Sequence, residues 1–137
     1  MRLSTKSRYG LRVVLRLALE SRGGESVPLW RLAEAEGISK KYMEHIAAQL
    51  ERSGIIEGSR GPGGGYRLAR RPREISVLDV VSAVENTYIL PCAMDPLSCE
   101  RSDDCLARPF WVSLQGHMRR FMSSASIENL INKEQLK

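Results

Sequence analysis

Three cysteines lie close together in the second half of this 137-residue chain, and they are its only cysteines. Cys92, Cys99 and Cys105 are separated by six and five residues, in a stretch rich in turn-forming residues that could wrap around a metal. Thiolate groups favour zinc or an iron–sulfur cluster. Zinc-binding cysteine pairs usually have about two to four residues between them, so this spacing favours iron–sulfur over zinc. The alternative is three unrelated reduced thiols, since an odd number does not build a disulfide framework.

The charge of the chain is unevenly distributed. Residues 1–73 contain 15 of the 21 Lys and Arg residues but 7 of the 16 Asp and Glu residues, whereas residues 74–137 contain 6 and 9. A basic module joined to a mildly acidic segment is typical of proteins that bind a polyanion through one part. A solvated basic surface is the alternative interpretation.

The hydrophobic spacing of the basic half predicts three helices. The first runs from about Ser7 to Ser21, the second from Leu29 to Glu36, and the third from Lys40 to about Arg52. The tight link Gly37-Ile38-Ser39 makes the last two a helix-turn-helix. A helix of this kind fits the DNA major groove, so candidate DNA contacts on or near the open face of the third helix are Ser39, Lys40, Lys41, Tyr42, Glu44 and His45. A plain solvated face is the alternative.

A glycine-rich loop follows the helix-turn-helix. Residues 60–65 lie between two predicted short strands, 55–59 and 66–69, so the pattern predicts a hairpin and with it a winged helix. Glycines let a backbone approach phosphate or enter a narrow minor groove, where Arg60 could be inserted. The loop lacks the Lys-Ser/Thr ending of a nucleotide-binding P-loop. Further candidate DNA contacts are therefore Arg60, Gly61, Pro62, Gly63 and Gly64, with Lys6 and Arg8 of the first helix.

The acidic half is predicted to contain a connecting helix and a long amphipathic helix. A capping box at Ser76–Asp79 starts a helix through about Glu85, residues 86–104 are irregular, and helices follow at about 106–123 and 127–131. One stripe of the long helix is too apolar to stay exposed, which predicts a homodimer across Phe110, Trp111, Leu114, Met118 and Phe121. We thus expect a mainly α fold with a small β-hairpin wing, divided into 1–75 (DNA binding), 76–104 (cysteine segment) and 105–137 (dimerisation).

Enzymatic and membrane functions find no support in the sequence. Its two histidines, His45 and His117, fit the third helix and the long helix, and no nucleophilic triad is evident. The first ten residues are polar and basic, unlike a signal peptide, and no apolar stretch is long enough to span a bilayer. We therefore expect a non-enzymatic cytoplasmic protein without a membrane partner.

Taken together, these segments resemble the IscR/NsrR/CymR class of bacterial winged-helix regulators, and within it the IscR group. The resemblance runs through nearly the whole chain. Its specific part is the wing string with the cysteine triplet. The matching stretches are residues 1–10, Gly37-Ile38-Ser39 with Tyr42 and Glu44, the string from Arg60 to Tyr66, the three cysteines, and Trp111 at the start of the long helix.

The resemblance implies several functional properties. It implies a homodimer joined through the long helix, a palindromic operator in double-stranded DNA with one winged helix per half-site, and an iron–sulfur cluster reporting cluster supply, nitric oxide or oxidation. For the IscR group, it also implies that Glu44 helps to select operators according to cluster state and that Arg60 contacts DNA.

The chain departs from the class at the fourth cluster ligand. IscR members usually have a histidine three residues after the third cysteine, where this chain has Arg108, and NsrR members can use an aspartate from the first helix, where it has Arg8. The first two cysteines are also one residue further apart than in typical IscR. The fourth ligand stays open among His117, Asp103, Asp104, a water and a small thiol. A [2Fe–2S] cluster is favoured, with [4Fe–4S] as the alternative.

The combined expectation is a winged-helix homodimer that represses or switches promoters of iron–sulfur biogenesis genes, with cluster loss as its signal. Two alternatives remain. One is a regulator of the same fold that senses nitric oxide, zinc or a small metabolite. The other is a small iron–sulfur electron carrier, against which the basic first half and the wing argue.

Overall fold

The computed structural model describes residues 3–134 and 136, so Met1 and Arg2 of the N-terminal string lie outside the described residues. Seven helices and one two-stranded antiparallel hairpin are assigned within that part of the chain. They follow the order α1 (Thr5–Glu20), α2 (Leu29–Glu36), α3 (Lys40–Arg52), β1 (Ile56–Ser59), β2 (Gly65–Leu68), α4 (Val77–Val84), α5 (Pro91–Met94), α6 (Arg108–Ser124) and α7 (Ile127–Ile131).

This element order confirms the predicted winged helix followed by a long helix. The segment 86–104, expected to be irregular throughout, instead contains α5 and a 3-10 turn at Pro96–Ser98. Proline favours the first turn of a helix, where its missing N–H needs no partner, and it occupies that turn in both elements. The same preference places Pro109 in the first turn of α6, so that helix begins at Arg108 rather than near Leu106.

A single hydrophobic core joins the helix-turn-helix to the second half of the chain. α1 and α3 supply its centre, and the residues after the hairpin close it. Its largest fully buried side chains are Leu17, Leu32, Met43, Ile46, Leu50, Ile55, Ile56, Ile75, Ile127, Val13, Val14 and Val80. Because α4 and α7 share this core with α1 and α3, the three-part division at residues 75 and 104 remains a proposal about roles.

The C-terminal end of α6 returns to the start of α4. Ser76 and Ser126 form an isolated antiparallel bridge. The Val77 N–H donates to the Ala125 carbonyl at 2.8 Å, and the Ile127 N–H donates to the Ile75 carbonyl at 2.9 Å. α7 therefore packs on α1, and α6 is fixed to the winged helix at its C-terminal end.

A buried carboxylate ties α1 to α2. The Glu36 side chain is only 2% exposed, and Arg16 Nε donates to it at 2.8 Å while Arg12 Nε lies 2.6 Å from its other oxygen. The hydrogen bond to Glu36 raises the pKa of Arg16, although burial opposes that shift. A buried charge is costly unless it is paired, so this arrangement fixes how α2 sits on α1.

We predict that Glu36→Gln destabilises the protein by about 2 kcal/mol, because it leaves two arginines facing a neutral buried group. Urea unfolding followed by circular dichroism measures the change. Glu34→Gln is the matched control, since Glu34 is an exposed glutamate on the same helix. Equal midpoints for Glu36→Gln and Glu34→Gln would show that the buried pair contributes nothing.

Candidate nucleic-acid interface and cysteine segment

The helix α3 presents a polar face to solvent, as predicted. Ser39 is its N-cap, and the Ser39 hydroxyl accepts the Tyr42 N–H at 3.1 Å. Met43, Ile46, Ala47 and Leu50 bury the opposite face. Five of the six predicted contacts on this helix are exposed, namely Ser39, Lys40, Lys41, Glu44 and His45.

Tyr42 is the exception, because its ring is half-buried against α1. It packs edge-on to Tyr9 with ring centroids 6.0 Å apart, and the Arg12 guanidinium lies over the Tyr9 ring at 5.7 Å. Tyr42 therefore fixes the angle between α3 and α1. Only part of the Tyr42 side chain is left accessible to a partner.

The first turn of α1 is held by a carboxylate from the end of α4. Glu85 accepts the Ser4 N–H at 3.1 and 3.2 Å and also accepts the Ser7 hydroxyl. Burial raises the pKa of Glu85, but the hydrogen bonds from Ser4 and Ser7 and the nearby Lys6 charge outweigh it and lower that pKa overall. Lys6, Tyr42 and Glu85 line one cleft, so Lys6 is adjacent to α3, while Arg8 is exposed on α1.

The hairpin is anchored to the residue that precedes α2. Val27 and Tyr66 exchange two backbone hydrogen bonds of 2.8 Å each. Gly65 has φ +152°, and a Cβ there would lie 2.2 Å from the Val27 carbonyl oxygen. No other residue type allows that approach, so Gly65 fixes the position of the wing relative to the helix-turn-helix.

The wing tip is an exposed turn that also depends on glycine. Gly61 and Gly63 have φ of +86° and +75°, in the region that side-chain-bearing residues rarely adopt. The Gly64 N–H donates to the Gly61 carbonyl at 2.8 Å. Arg60, Gly61, Pro62 and Gly63 are exposed and Gly64 is half-buried. The predicted contact loop is thus a defined turn that projects into solvent.

A groove of about 630 Å³ separates α3 from the wing. Lys40 and Arg60 line it together with two carboxylates, Glu44 and Glu51. Burial raises the pKa of Tyr66, which also lines this groove, and the charges of Glu51 and Glu44 add to that effect. Sequence reasoning missed Glu51, although its spacing of seven residues from Glu44 places the two on the same helix face.

The three cysteines lie on successive short elements before α6. Cys92 is in α5 and half-buried, whereas Cys99 and Cys105 are exposed, and all three are free thiols. Their carbonyls are engaged: Arg108 Nε donates to Cys92 at 2.9 Å, the Ser102 N–H to Cys99 at 3.2 Å, and the Arg108 N–H to Cys105 at 3.3 Å. This backbone bonding leaves the thiols available.

The structure does not gather the thiols into a ligand set. Across residues 3–134 and 136, no group of three His, Cys, Asp or Glu side chains is close enough to hold a metal ion. The donor chemistry nevertheless fits an iron–sulfur cluster, because three free thiols lie on one segment of short turns. Convergence of the thiols requires that segment to rearrange.

The candidates for a fourth ligand are dispersed. Arg108 cannot serve, since its guanidinium stays protonated and binds the Cys92 carbonyl. His117 lies on α6, where its Nδ1 is 2.7 Å from the Ser113 carbonyl and 3.2 Å from Arg120. Asp103 and Asp104 are exposed and lie between the second and third cysteines.

The residues between Glu85 and Cys92 are fastened to α6. Gln115, buried in the middle of α6, accepts the Ile89 N–H at 2.6 Å and donates to the Thr87 carbonyl at 2.8 Å. Arg119 donates to the Thr87 hydroxyl at 2.7 Å. Sequence reasoning missed Gln115, because an isolated glutamine in an amphipathic helix gives no sign that it will be buried.

The predicted dimer stripe on α6 remains partly open. Phe110 is 62% exposed and Phe121 is 47% exposed. Trp111, Leu114 and Met118 are half-buried, and Phe110 packs edge-on to Trp111 with ring centroids 5.1 Å apart. The α6 helix therefore uses one side for its own chain and leaves large apolar rings on another.

A search of the described helices for an apolar segment long enough to cross a membrane finds none.

A family model described as Rrf2, iron-dependent transcriptional regulator, matches residues 3–133. The chain is 36% identical over 136 residues to the HTH-type transcriptional regulator IscR of Photorhabdus laumondii subsp. laumondii, covering 99% of this chain and 82% of that protein. It is 33% identical over 136 residues to IscR of Escherichia coli O1:K1 / APEC, covering 99% and 83%. These relatives are named transcriptional regulators, which confirms that this is not an enzyme.

Solved structures agree with this assignment. T. potens IscR superimposes with a TM-score of 0.78 at 27% identity, covering 97% of this chain and 88% of that chain. CymR, the global cysteine regulator of B. subtilis, superimposes with a TM-score of 0.77 at 25% identity, covering 98% and 99%. With the family model and these relatives all spanning nearly its full length, the chain belongs to the Rrf2 family of transcriptional regulators.

Proposed function

We propose that this regulator binds palindromic double-stranded DNA as a homodimer and that an iron–sulfur cluster on Cys92, Cys99 and Cys105 controls that binding. One observation carries the DNA-binding part: the Val27–Tyr66 pairing and Gly65 hold the wing in a set position beside the open face of α3. Helix in the major groove and wing in the minor groove is the docking mode that such an arrangement supports.

The groove between α3 and the wing supports selective rather than uniform DNA contact. Lys40 and Arg60 attract the backbone, but Glu44 and Glu51 offset them within the same groove. A carboxylate can accept a hydrogen bond from cytosine N4 and repels phosphate and base acceptors. Glu44 would thus exclude sites that lack a suitable donor, which is the operator-selecting role that the IscR resemblance implies.

Cys92, Cys99 and Cys105 would hold the cluster through their thiolates. A bound cluster supplies iron centres that bind thiolate sulfur and respond to redox change, nitric oxide and iron supply. A [2Fe–2S] cluster is favoured and [4Fe–4S] is the alternative. The chain offers the fourth position no thiol and, at residue 108, an arginine, so we expect a weakly held fourth ligand and a labile cluster.

A continuous set of contacts links the cysteine segment to the DNA-binding surface. Arg108 holds the Cys92 carbonyl, Gln115 and Arg119 hold residues 87 and 89, and Glu85 holds the first turn of α1 beside Lys6 and Tyr42. Rearrangement of the cysteine segment on cluster binding or loss would act on Glu85 and shift the population of DNA-competent states. The relatives named IscR support iron–sulfur biogenesis genes as targets, with repression as the mode.

A second candidate is a regulator that senses a small thiol or another metabolite without a cluster. The dispersed thiols favour it, as does the likeness to CymR, named a cysteine regulator. Visible absorption of protein purified without oxygen separates the two, since only the cluster-bearing regulator is coloured.

We predict that Arg60→Ala weakens operator binding by about 1–3 kcal/mol, because Arg60 enters the minor groove with the wing. Fluorescence anisotropy with an operator selected from random DNA measures the loss. Arg52→Ala is the control, since Arg52 is exposed on the last turn of α3 outside the groove. Unchanged affinity for Arg60→Ala would refute the wing contact.

We predict that Cys92→Ala, Cys99→Ala and Cys105→Ala each prevent stable cluster loading while the helical content stays unchanged, because none of these side chains belongs to the hydrophobic core. Iron and sulfide analysis with visible spectra, on protein reconstituted without oxygen, is the measurement. His117→Ala should load normally, since His117 is roughly 18 Å along the helix direction from Cys105. Wild-type protein without iron, or three variants with wild-type iron, would contradict the cluster assignment.

We predict that Phe121→Glu converts a wild-type dimer to monomer. Phe121 is exposed within one chain, so its replacement affects assembly rather than the fold. Val112→Glu is the control, because Val112 is also exposed but about half a helical turn from Phe110 and Phe121. Light scattering at micromolar concentration gives the mass, and a monomeric wild type would exclude this interface.

A further inference from the structure

The two faces of the hairpin carry very different charge. Successive residues of a strand project to opposite faces, and directly paired residues share a face. Glu57 pairs with Arg67 and Gly58 pairs with Tyr66, so Arg67 lies on the face opposite Tyr66. Tyr66 lines the groove toward α3, whereas Arg67 lines a separate cavity on the far side of the wing.

That far-side cavity is strongly basic. It has a volume of about 530 Å³, and four arginines from three parts of the chain line it: Arg22 after α1, Arg67 in β2, and Arg70 and Arg71 after β2. Glu74 is the one carboxylate in its lining. The α3 groove, in contrast, balances two cations against two carboxylates. The more positive side of the wing is therefore the one that faces away from α3.

The charges of this arginine cavity are only partly neutralised. Arg67 pairs with Glu57 at 2.7 Å, but both side chains are about half exposed (50% and 49%). Arg70 lies 3.8 Å from Asp79, at the limit of an ion pair. Within the described residues, Arg22 and Arg71 form no ion pair. Exposed pairs contribute little to stability, so an incoming phosphate can replace them at little cost.

We propose that the arginine cavity is a second DNA-backbone site, which binds phosphates of the strand flanking the minor groove on the side away from α3. A hairpin inserted into a groove only about 6 Å wide has a phosphate strand on each side. α3 and its groove meet one strand, and Arg22, Arg67, Arg70 and Arg71 would meet the other. This site extends the footprint outward from each half-site and rests on the proposed DNA-binding function.

The test compares two duplexes. One ends at the outer edge of the operator half-sites, and the other is extended by about one helical turn, about 10 base pairs, on each side. The variant is the double substitution Arg22→Ala/Arg71→Ala, which removes guanidinium groups without ion pairs and so spares the fold. Arg73→Ala is the control, because Arg73 is an exposed arginine of the same segment that does not line the cavity.

Wild type and Arg73→Ala should bind the extended duplex more tightly than the short one, and hydroxyl-radical protection should reach beyond the wing. The double variant should lose both the gain in affinity and the outer protection. The slope of log affinity against log salt should fall by about two, one for each lost phosphate contact. Circular dichroism and thermal unfolding of the double variant should match wild type.

Equal wild-type affinity for the two duplexes would overturn this inference and leave the proposed function standing. Stabilisation of wild type, but not of the double variant, by inorganic pyrophosphate, with no effect of duplex length, would also overturn it and identify a small-anion site. Failure of wild type to bind even the short duplex would overturn the proposed function itself.

Discussion

The backbone pairing between residues 75–77 and 125–127 determines how the two halves of this molecule act on each other. Ile75 and Ile127 are fully buried, and the two hydrogen bonds around them attach the end of α6 to the start of α4. Gln115 attaches the middle of α6 to residues 87 and 89, and Arg108 attaches its first turn to Cys92. α6 is thus held along its whole length. A dimer formed across it would set the spacing of two winged helices with little slack.

Glu85 makes the same framework sensitive to the cysteine segment. It lies at the junction of α4 and the residues that lead to Cys92, and its carboxylate holds the first turn of α1. Since the hydrogen bonds depress the Glu85 pKa in the folded protein, the stabilisation they give is present above its unfolded pKa and is lost as pH falls through the folded value. At neutral pH this contact is therefore fully formed. A displacement near residue 90 has a short route to Lys6 and Tyr42.

Local signals in the sequence predicted most of the fold. The Gly37-Ile38-Ser39 link, the Ser76–Asp79 capping box and the glycine-rich loop each act within a few residues, so α2, α3, α4 and the hairpin lie close to their predicted bounds. The missed features are long-range. The Val27–Tyr66 bridge joins residues 39 positions apart, and burial of Gln115 depends on carbonyls at residue 87. Such partners are set by packing, and composition and spacing carry no record of it. The thiols lie on the predicted irregular segment, but their convergence was not predictable from spacing, and the structure leaves them apart.

The distribution of charge around the wing separates two tasks that DNA recognition requires. Phosphate contacts supply affinity for any sequence, while discrimination comes from groups that accept one base and reject another. The α3 groove, with Glu44 and Glu51 beside Lys40 and Arg60, gives up attraction and gains selectivity. The arginine cavity carries little opposing charge and offers attraction without a base-reading group. Because both are fixed to the same two strands through Gly65 and the Val27–Tyr66 pairing, a shift of the hairpin changes both terms together. Movement of the wing would therefore alter affinity and selectivity as one event.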